Sequence, residues 1–444
     1  MIEPRSVFRF GALYFDRSSS VKRTTQTLTD IGWMRLFIAL ILNLYLAACS
    51  SSVKDENLIR EIVSGKKSII DKVMTDPDRY KLQILYTQID RDSLNIPSFR
   101  SYTYHVDEEN YFYPASTVKM PTAFMALEKL NKLRIAGLDK HSTMLTDSAY
   151  SGQYLVHSDS TSKSGLPSID HYIKKIFLVS DNQAYNRLYE FVGQQELNEG
   201  LHKKGYVNTR ITHRLEILLS KEENQKTNPI RFYSGDSLVY SQPLVTSEKD
   251  FTTKKPISLG KAFVSDGQLI EKPMDFSQKN YISIGDLQNM LKSVIFYEYI
   301  ESSQRFDLTP DDYQSLYQYM SEYPGESGYP SYDTTFYPSF VKFLMFGNDL
   351  KPIPERFRIF NKVGDAYGFL IDNAYFVDFD NDVEFLLSVV IQVNDNQIYN
   401  DGVYEYDQIG FPFMAGLGEL IYTYELSRKK VNAPDLSKFK LKYN

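Results

Sequence analysis

Residues 111–130 read YFYPASTVKMPTAFMALEKL, and the rest of the chain takes its order from them. From Thr117 to Leu133, Val118, Met120, Ala123, Phe124, Ala126, Leu127 and Leu130 cover more than one helical face. Such a helix is buried at the centre of its domain. Pro121 falls in the first turn, where only a first-turn hydrogen bond is lost. At the head of the helix Ser116 and Lys119 stand three apart and share a face. A serine hydroxyl is a poor nucleophile until a base removes its proton. The same S-x-x-K spacing recurs at Ser64/Lys67, Ser258/Lys261, Ser339/Lys342 and Ser437/Lys440. Spacing alone therefore does not separate a nucleophile and its base from a helix cap with a surface lysine.

Working outward, Asn57–Val63 and Ser68–Met74 read as short helices. Lys81–Ile89 alternates apolar and polar residues and reads as a half-buried strand; Phe99–Val106 is a second strand. Ser168–Leu178 and Gln183–Phe191 are helices, with Gly193 as a stop. From Asn228 to about Phe276, RFYSGDSLVY and KAFVSDGQLI each set a glycine-containing turn between strand-like arms. Helical patterns return at Ser283–Phe296 and at Thr309–Met320, where Thr309 caps and Pro310 takes the first turn. Phe357–Val363, Gly368–Val377 and Val383–Val393 are strands, with Asp380-Asn381-Asp382 as a turn. Phe411–Leu426 is a closing helix. Strands at both ends with helices between imply an α+β fold, an antiparallel sheet of N- and C-terminal strands packed on a helical subdomain.

Three short elements then line up: Ser116-x-x-Lys119 at the head of the buried helix, Ser180-Asp181-Asn182 between two helices, and Lys362-Val363-Gly364 at a strand end. Individually the second is also a capping turn and the third a strand-end charge. Together, in this order, they resemble the S-x-x-K, S-D-N and K-T-G set of class A β-lactamases and penicillin-binding proteins. The resemblance spans roughly Lys81 to Leu426, apart from the inserted hairpins. It implies a serine hydrolase, without cofactor or metal, that forms an acyl-enzyme at Ser116. Burial beside Lys362 would lower the pKa of Lys119, because desolvation and a like charge both disfavour the ammonium. The positive helix N-terminus would favour negative charge developing on Ser116. The resemblance further implies that Ser180, held by Lys362, relays a proton to the leaving nitrogen, and that Asn182 grips the substrate amide or Lys119. It assigns the oxyanion hole to the N–H groups of Ser116 and Asp365, beside Gly364.

The chain departs from that pattern in three places. The family's deacylating glutamate lies in R-x-E-x-x-L-N; here Arg214, Glu216 and Leu219 match, but Ser220 replaces the asparagine. Glu216 is the candidate deacylation base, or else an exposed glutamate on an amphipathic turn. Val363 replaces the threonine whose hydroxyl helps to hold a substrate carboxylate, and neither Arg356 nor Arg358 is placed by sequence to take over. An insertion of about 221–276 directly follows the Glu216 segment. The readings are hydrolysis of a β-lactam amide, the same chemistry on a cell-wall D-Ala peptide or an ester, or an inactive surface binding module.

Composition bounds the rest. The 444 residues carry a formal charge of −6, with 42% hydrophobic and 24% charged side chains. That is an ordinary soluble balance with no basic footprint for nucleic acid. The 34 Tyr and 28 Phe read as core packing. The single cysteine, Cys49, permits no intrachain disulfide and no cysteine cluster. The six scattered histidines form no H-E-x-x-H pair, which argues against a zinc hydrolase. No G-x-S-x-G elbow is present. Met34–Cys49, MRLFIALILNLYLAAC, has an apolar run too short to span a bilayer and fits a signal-peptide core. Leu46-Ala47-Ala48-Cys49 resembles a bacterial lipobox, which implies lipidation at Cys49. Ser50 after it points to the outer membrane, so the expected location is the cell envelope. Residues 1–33 read as an over-extended start, 50–66 as a tether and first helix, and 67–444 as the hydrolase domain. The chain is read as a monomer.

Overall fold

Five strands of eight to ten residues make up the main sheet. They are β1 (Gln83–Arg91), β2 (Pro97–Tyr104), β3 (Phe357–Ala366), β4 (Phe369–Asp378) and β5 (Val383–Gln392). In the computed structural model, which describes residues 56–253 and 255–443, they form one antiparallel sheet in the order β3-β4-β5-β1-β2. The expected pairing of N- and C-terminal strands is the β5–β1 contact, with Gln83 opposite Val390. The β3–β4 hairpin turns on Tyr367 and Gly368, both left-handed at φ 56° and 79°. A two-residue type I′ turn requires that conformation at both positions. The signal-like stretch 34–49, its Cys49 and residues 1–33 lie outside the described residues.

Nine helices of eight or more residues are described: α1 (Glu56–Val63), α2 (Ser68–Thr75), α3 (Lys119–Leu133), α4 (Ile169–Val179), α5 (Asn182–Val192), α6 (Gln194–Lys203), α7 (Ile284–Ile295), α8 (Pro310–Ser321) and α9 (Phe411–Ser427). One face of the sheet packs on α1, α2 and α9, the other on α7 and the helical region around α3. The sheet is thus buried on both faces, and β1 is not half-buried as its alternation suggests. Its polar positions are satisfied inside: the Thr87 hydroxyl donates to Gln288 Oε1 at 2.6 Å, and Gln83 Nε2 to the Asn110 carbonyl at 3.1 Å. A buried polar group with a partner costs little.

Gly193, at φ 83°, does end α5, but a further helix, α6, starts at the next residue. Residues 327–356, unmarked in the sequence reading, run as irregular chain between α8 and β3. The hairpins of the insertion are present and tied down at both ends. Ile230–Ser234 pairs with Ser237–Gln242 and with Thr143–Thr146. Ala262–Ser265 pairs with Gln268–Ile270 and, in parallel, with Ile398–Tyr399.

Candidate active site

The chain enters α3 through a 3-10 turn, Ala115–Val118, two residues before the expected start. Ala115 is left-handed at φ 46°, a strained conformation for a residue with a Cβ. The turn leaves the Ser116 N–H without a backbone acceptor. Gly364 lies against it: a Cβ there would meet Ser116 N at 2.9 Å and the Pro114 carbonyl oxygen at 2.8 Å. Only glycine lets β3, an edge strand, approach the Ser116 N–H this closely.

Lys119, fully buried, puts Nζ 2.8 Å from Ser116 Oγ and 3.2 Å from Ser180 Oγ, and donates to the Ser180 carbonyl. Among the described residues this is the one S-x-x-K pair in which lysine reaches serine. Lys67 pairs with Glu419, and Lys342 donates to the Met320 carbonyl and Asn361. Ser180 sits in the αL conformation at φ 60°, as the C-cap of α4. The next residue, Asp181, caps α5 by accepting from Ala184 N at 2.7 Å. This double cap turns the Ser180 hydroxyl toward the lysines, so the capping role and the site role coexist. Lys362, 2% exposed, donates to Ser180 Oγ at 2.8 Å and to the Val363 carbonyl at 2.8 Å.

Burial is the main force on both amines. It pushes Lys119 well below the ordinary lysine value, aided by the Lys362 charge and opposed by Asp181, Asp365 and Glu216. Burial lowers Lys362 to about 7, against Asp365 and Asp372. Lys119 thus takes up a proton less readily than a free lysine, the more so while Lys362 is charged. The arrangement holds a free amine on a serine hydroxyl, with a second hydroxyl bridging the two lysines.

The other expected residues are less engaged. Asn182 opens α5 and makes no side-chain hydrogen bond among the described residues; the Ser180 carbonyl, not Asn182, accepts from Lys119. Glu216 is exposed and left-handed at φ 53°, and its carboxylate has no hydrogen bond or ion pair among the described residues. Its charge still reaches Lys119 and Asp365. Ser220 is spent on capping the short helix Lys221–Asn224, where it and Glu223 form a capping box. Arg214 fixes the segment by donating to Glu190 at 2.9 Å and to the Lys226 carbonyl at 2.6 Å. A cavity of about 340 Å³ lies under this segment, walled by His213, Ile217, Leu219, Phe251 and Lys279; Ser116 is not in its wall.

Sequence reading missed the packing beside Ser116. His213 stacks on Tyr113, centroids 6.2 Å apart and planes 2° off parallel. Burial and then Lys279 lower it to about 4, so it is neutral. Phe276, from the end of the insertion, packs edge-on against Tyr113 and Tyr367. The insertion therefore buttresses the Ser116 stretch. A lone histidine gave no signal, because its partner lies 100 residues earlier. Among the described residues no three His, Cys, Asp or Glu side chains gather as a metal site.

A family model described as the beta-lactamase enzyme family matches residues 67–424. The chain belongs to that family. No curated protein matches it. Among solved structures it is similar to a beta lactamase from Xanthomonas campestris at 13% identity, with 83% of this chain and 98% of that one covered and a TM-score of 0.45. A beta-lactamase from Sphaerobacter thermophilus aligns at 10% identity over 82% and 98% of the two chains, TM-score 0.44. A class A beta-lactamase from Clostridium kluyveri aligns at 14% over 80% and 97%, TM-score 0.42.

Proposed function

We propose that this beta-lactamase-family protein is a serine hydrolase that works through an acyl-enzyme at Ser116, with a lactam amide as acyl donor. The observation that carries the reading is the buried Lys119 amine 2.8 Å from the Ser116 hydroxyl, with burial pushing its pKa well below the ordinary lysine value. Ser116 Oγ attacks the carbonyl carbon as its proton passes to Lys119 Nζ. The oxyanion forms beside the free Ser116 N–H and that of Asp365, groups that act on charge present only in the transition state. The C–N bond breaks, and the leaving nitrogen takes a proton through the Ser180 hydroxyl, which Lys119 and Lys362 resupply. Water, deprotonated by Glu216, then releases the acyl group. Asn182, whose side chain has no hydrogen bond among the described residues, offers its amide to the substrate.

A second reading has its own support. Glu216 has no partner to aim it, and Ser220, where the family places asparagine, is occupied as a cap. Acylation without fast deacylation, the behaviour of a penicillin-binding peptidase, follows from that. Incubation with a fluorescent penicillin and a chromogenic cephalosporin separates the two. Turnover that disappears in Glu216→Ala supports hydrolysis; a lasting label on Ser116 supports the second reading; neither label nor turnover sinks both. We also propose a monomer anchored to the outer membrane through lipidated Cys49. Mass spectrometry of the native N-terminal peptide tests the anchor, and an unmodified Cys49 rejects it.

A further inference from the structure

The short antiparallel pair Thr209–Arg210 and Tyr281–Ile282 sets Arg210 beside Tyr281. Its guanidinium carbon lies 4.9 Å from the Tyr281 ring centroid and 6.0 Å from that of Tyr111, and the two rings stack at 5.7 Å. Both hydroxyls are used elsewhere: Tyr111 donates to the Asn280 carbonyl at 3.0 Å, and Tyr281 to the Glu108 carbonyl at 2.6 Å. The guanidinium makes no hydrogen bond or ion pair among the described residues, and its Nε and Nη2 are shielded from solvent without an acceptor. Those two N–H groups form the edge of the fork that meets both oxygens of a carboxylate. The tyrosine rings offset part of the lost solvation, but a shielded cation without a counter-charge remains costly. Burial accordingly lowers its pKa, opposed only by Tyr111 and Tyr281. No hydrogen bond holds the group in place, so its free edge can turn into the space beside it.

That space is a cavity of about 540 Å³, the size of a small-molecule site. It opens between the insertion, at Ile257 and Leu259, and the body of the domain, at Lys81, Tyr111, Arg210 and Tyr281. None of Ser116, Lys119, Ser180 and Lys362 is in its wall. The two carboxylates of the wall are engaged: Glu108 accepts from Asn208 Nδ2 at 2.7 Å, and Glu109 pairs with Lys255 at 2.7 Å. Lys81, half-buried, makes no side-chain hydrogen bond or ion pair among the described residues; the charge of Asp78 reaches it against its burial. The unpaired charged groups of this cavity are thus both cations. Among the described residues of its wall three cations stand against two carboxylates, a balance that one negative charge completes.

We propose that this cavity is a binding site for an organic monocarboxylate, its two oxygens held by Arg210 and Lys81 and its apolar body laid against Tyr111 and the insertion. The site is separate from Ser116, and the proposal stands or falls independently of acylation there.

Fluorine NMR titration of the full chain in detergent micelles at about pH 8 tests this with three probes: para-fluorobenzoate, the neutral para-fluorobenzamide, and para-fluorophenyl phosphate, a dianion at that pH. The benzoate is expected to bind more tightly than either of the others. Arg210→Gln and Lys81→Met should each weaken it by about tenfold or more, the scale of a lost hydrogen bond to a charged group. Without ligand, Arg210→Gln should raise the melting temperature, because it removes an uncompensated charge. No benzoate binding, equal binding of the amide, tighter binding of the phosphate, or an affinity unmoved in either folded variant overturns the proposal. So does a lowered melting temperature in Arg210→Gln with benzoate binding retained, which would make the arginine only a prop for the tyrosines. Should Arg210→Gln fail to fold, Lys81→Met alone decides.

Discussion

Ser116, Lys119, Ser180, Lys362 and Gly364 each have a definable task, and two of those tasks can be probed singly. Gly364 keeps β3 against the Ser116 N–H, and a methyl would stand 2.9 Å from that nitrogen. Gly364→Ala is expected to lower acylation by about 100-fold or more, the scale of a lost oxyanion donor, with the far-ultraviolet circular dichroism unchanged. Unaltered acylation would mean that the Ser116 N–H is not used. The lysines should give acylation a pH profile of their own. Lys119 acts as base only when neutral, and its pKa lies well below the ordinary value, so activity persists on the acid side. Lys362 loses its charge as pH rises through about 7, so if its charge supports Ser180 the rate falls above that point. Lys362→Gln should abolish that alkaline limb; a limb that survives belongs to another group. The cluster of Ser116, Lys119, Ser180 and Lys362 was legible in the sequence as three short motifs in order. The neutral His213 was not, because its stack on Tyr113 exists only after folding.

At the scale of elements, β3 is held from beneath by a polar network. Lys342 donates to Asn361 Oδ1 at 2.6 Å, and Asn361 Nδ2 donates to Asp372 Oδ1 at 2.7 Å. Asp372 Oδ2 accepts from the N–H groups of Phe343 and Leu344, both at 3.0 Å. Burial raises the Asp372 carboxyl and lowers the Lys342 amine, so each depends on the other's charge. Asp372→Ala would leave two buried N–H groups without their acceptor and remove the counter-charge of the buried Lys342, and should cost about 3–5 kcal/mol, measured by urea denaturation. The double variant Asp372→Leu/Lys342→Met should recover much of it; equal losses in both would contradict the network. Most helices and all five long strands were legible from periodicity and caps. Helix α6 was not: its residues 194–203, QQELNEGLHK, show no clear apolar stripe, and Gly193 reads as a terminus. The path of 327–356 was illegible because Asp372, far along the sequence, supplies its hydrogen-bonding partner.

For the molecule as a whole, burying Lys119, Lys342 and Lys362 as amines links stability to pH. Between about pH 7 and 10 the unfolded chain holds protons that the folded chain has released at these sites, so stability rises with pH. The slope is about 1.4 kcal/mol per pH unit for each lysine neutral in the fold and charged outside it. Above pH 10 the sign reverses, because burial holds the hydroxyls of Tyr111, Tyr113, Tyr185 and Tyr375 protonated in the fold. The melting temperature should therefore climb from pH 7 to about 9.5 and then fall. A steady decline from pH 7 would mean that the lysines are charged in the fold. The two-faced burial of the sheet escaped the sequence for the same physical reason: polar residues inside read as surface until their partners are known.

In the proposed mechanism Lys119 deprotonates Ser116 for attack. A small neutral fluorophosphonate, incubated at pH 8 and followed by peptide mass spectrometry, reports on that step without calling on substrate charge or deacylation. A single adduct on Ser116 is expected, slowed by about 100-fold or more in Lys119→Met, the upper range for loss of a general base. No adduct, an adduct on another residue, or equal labelling of Lys119→Met would contradict it.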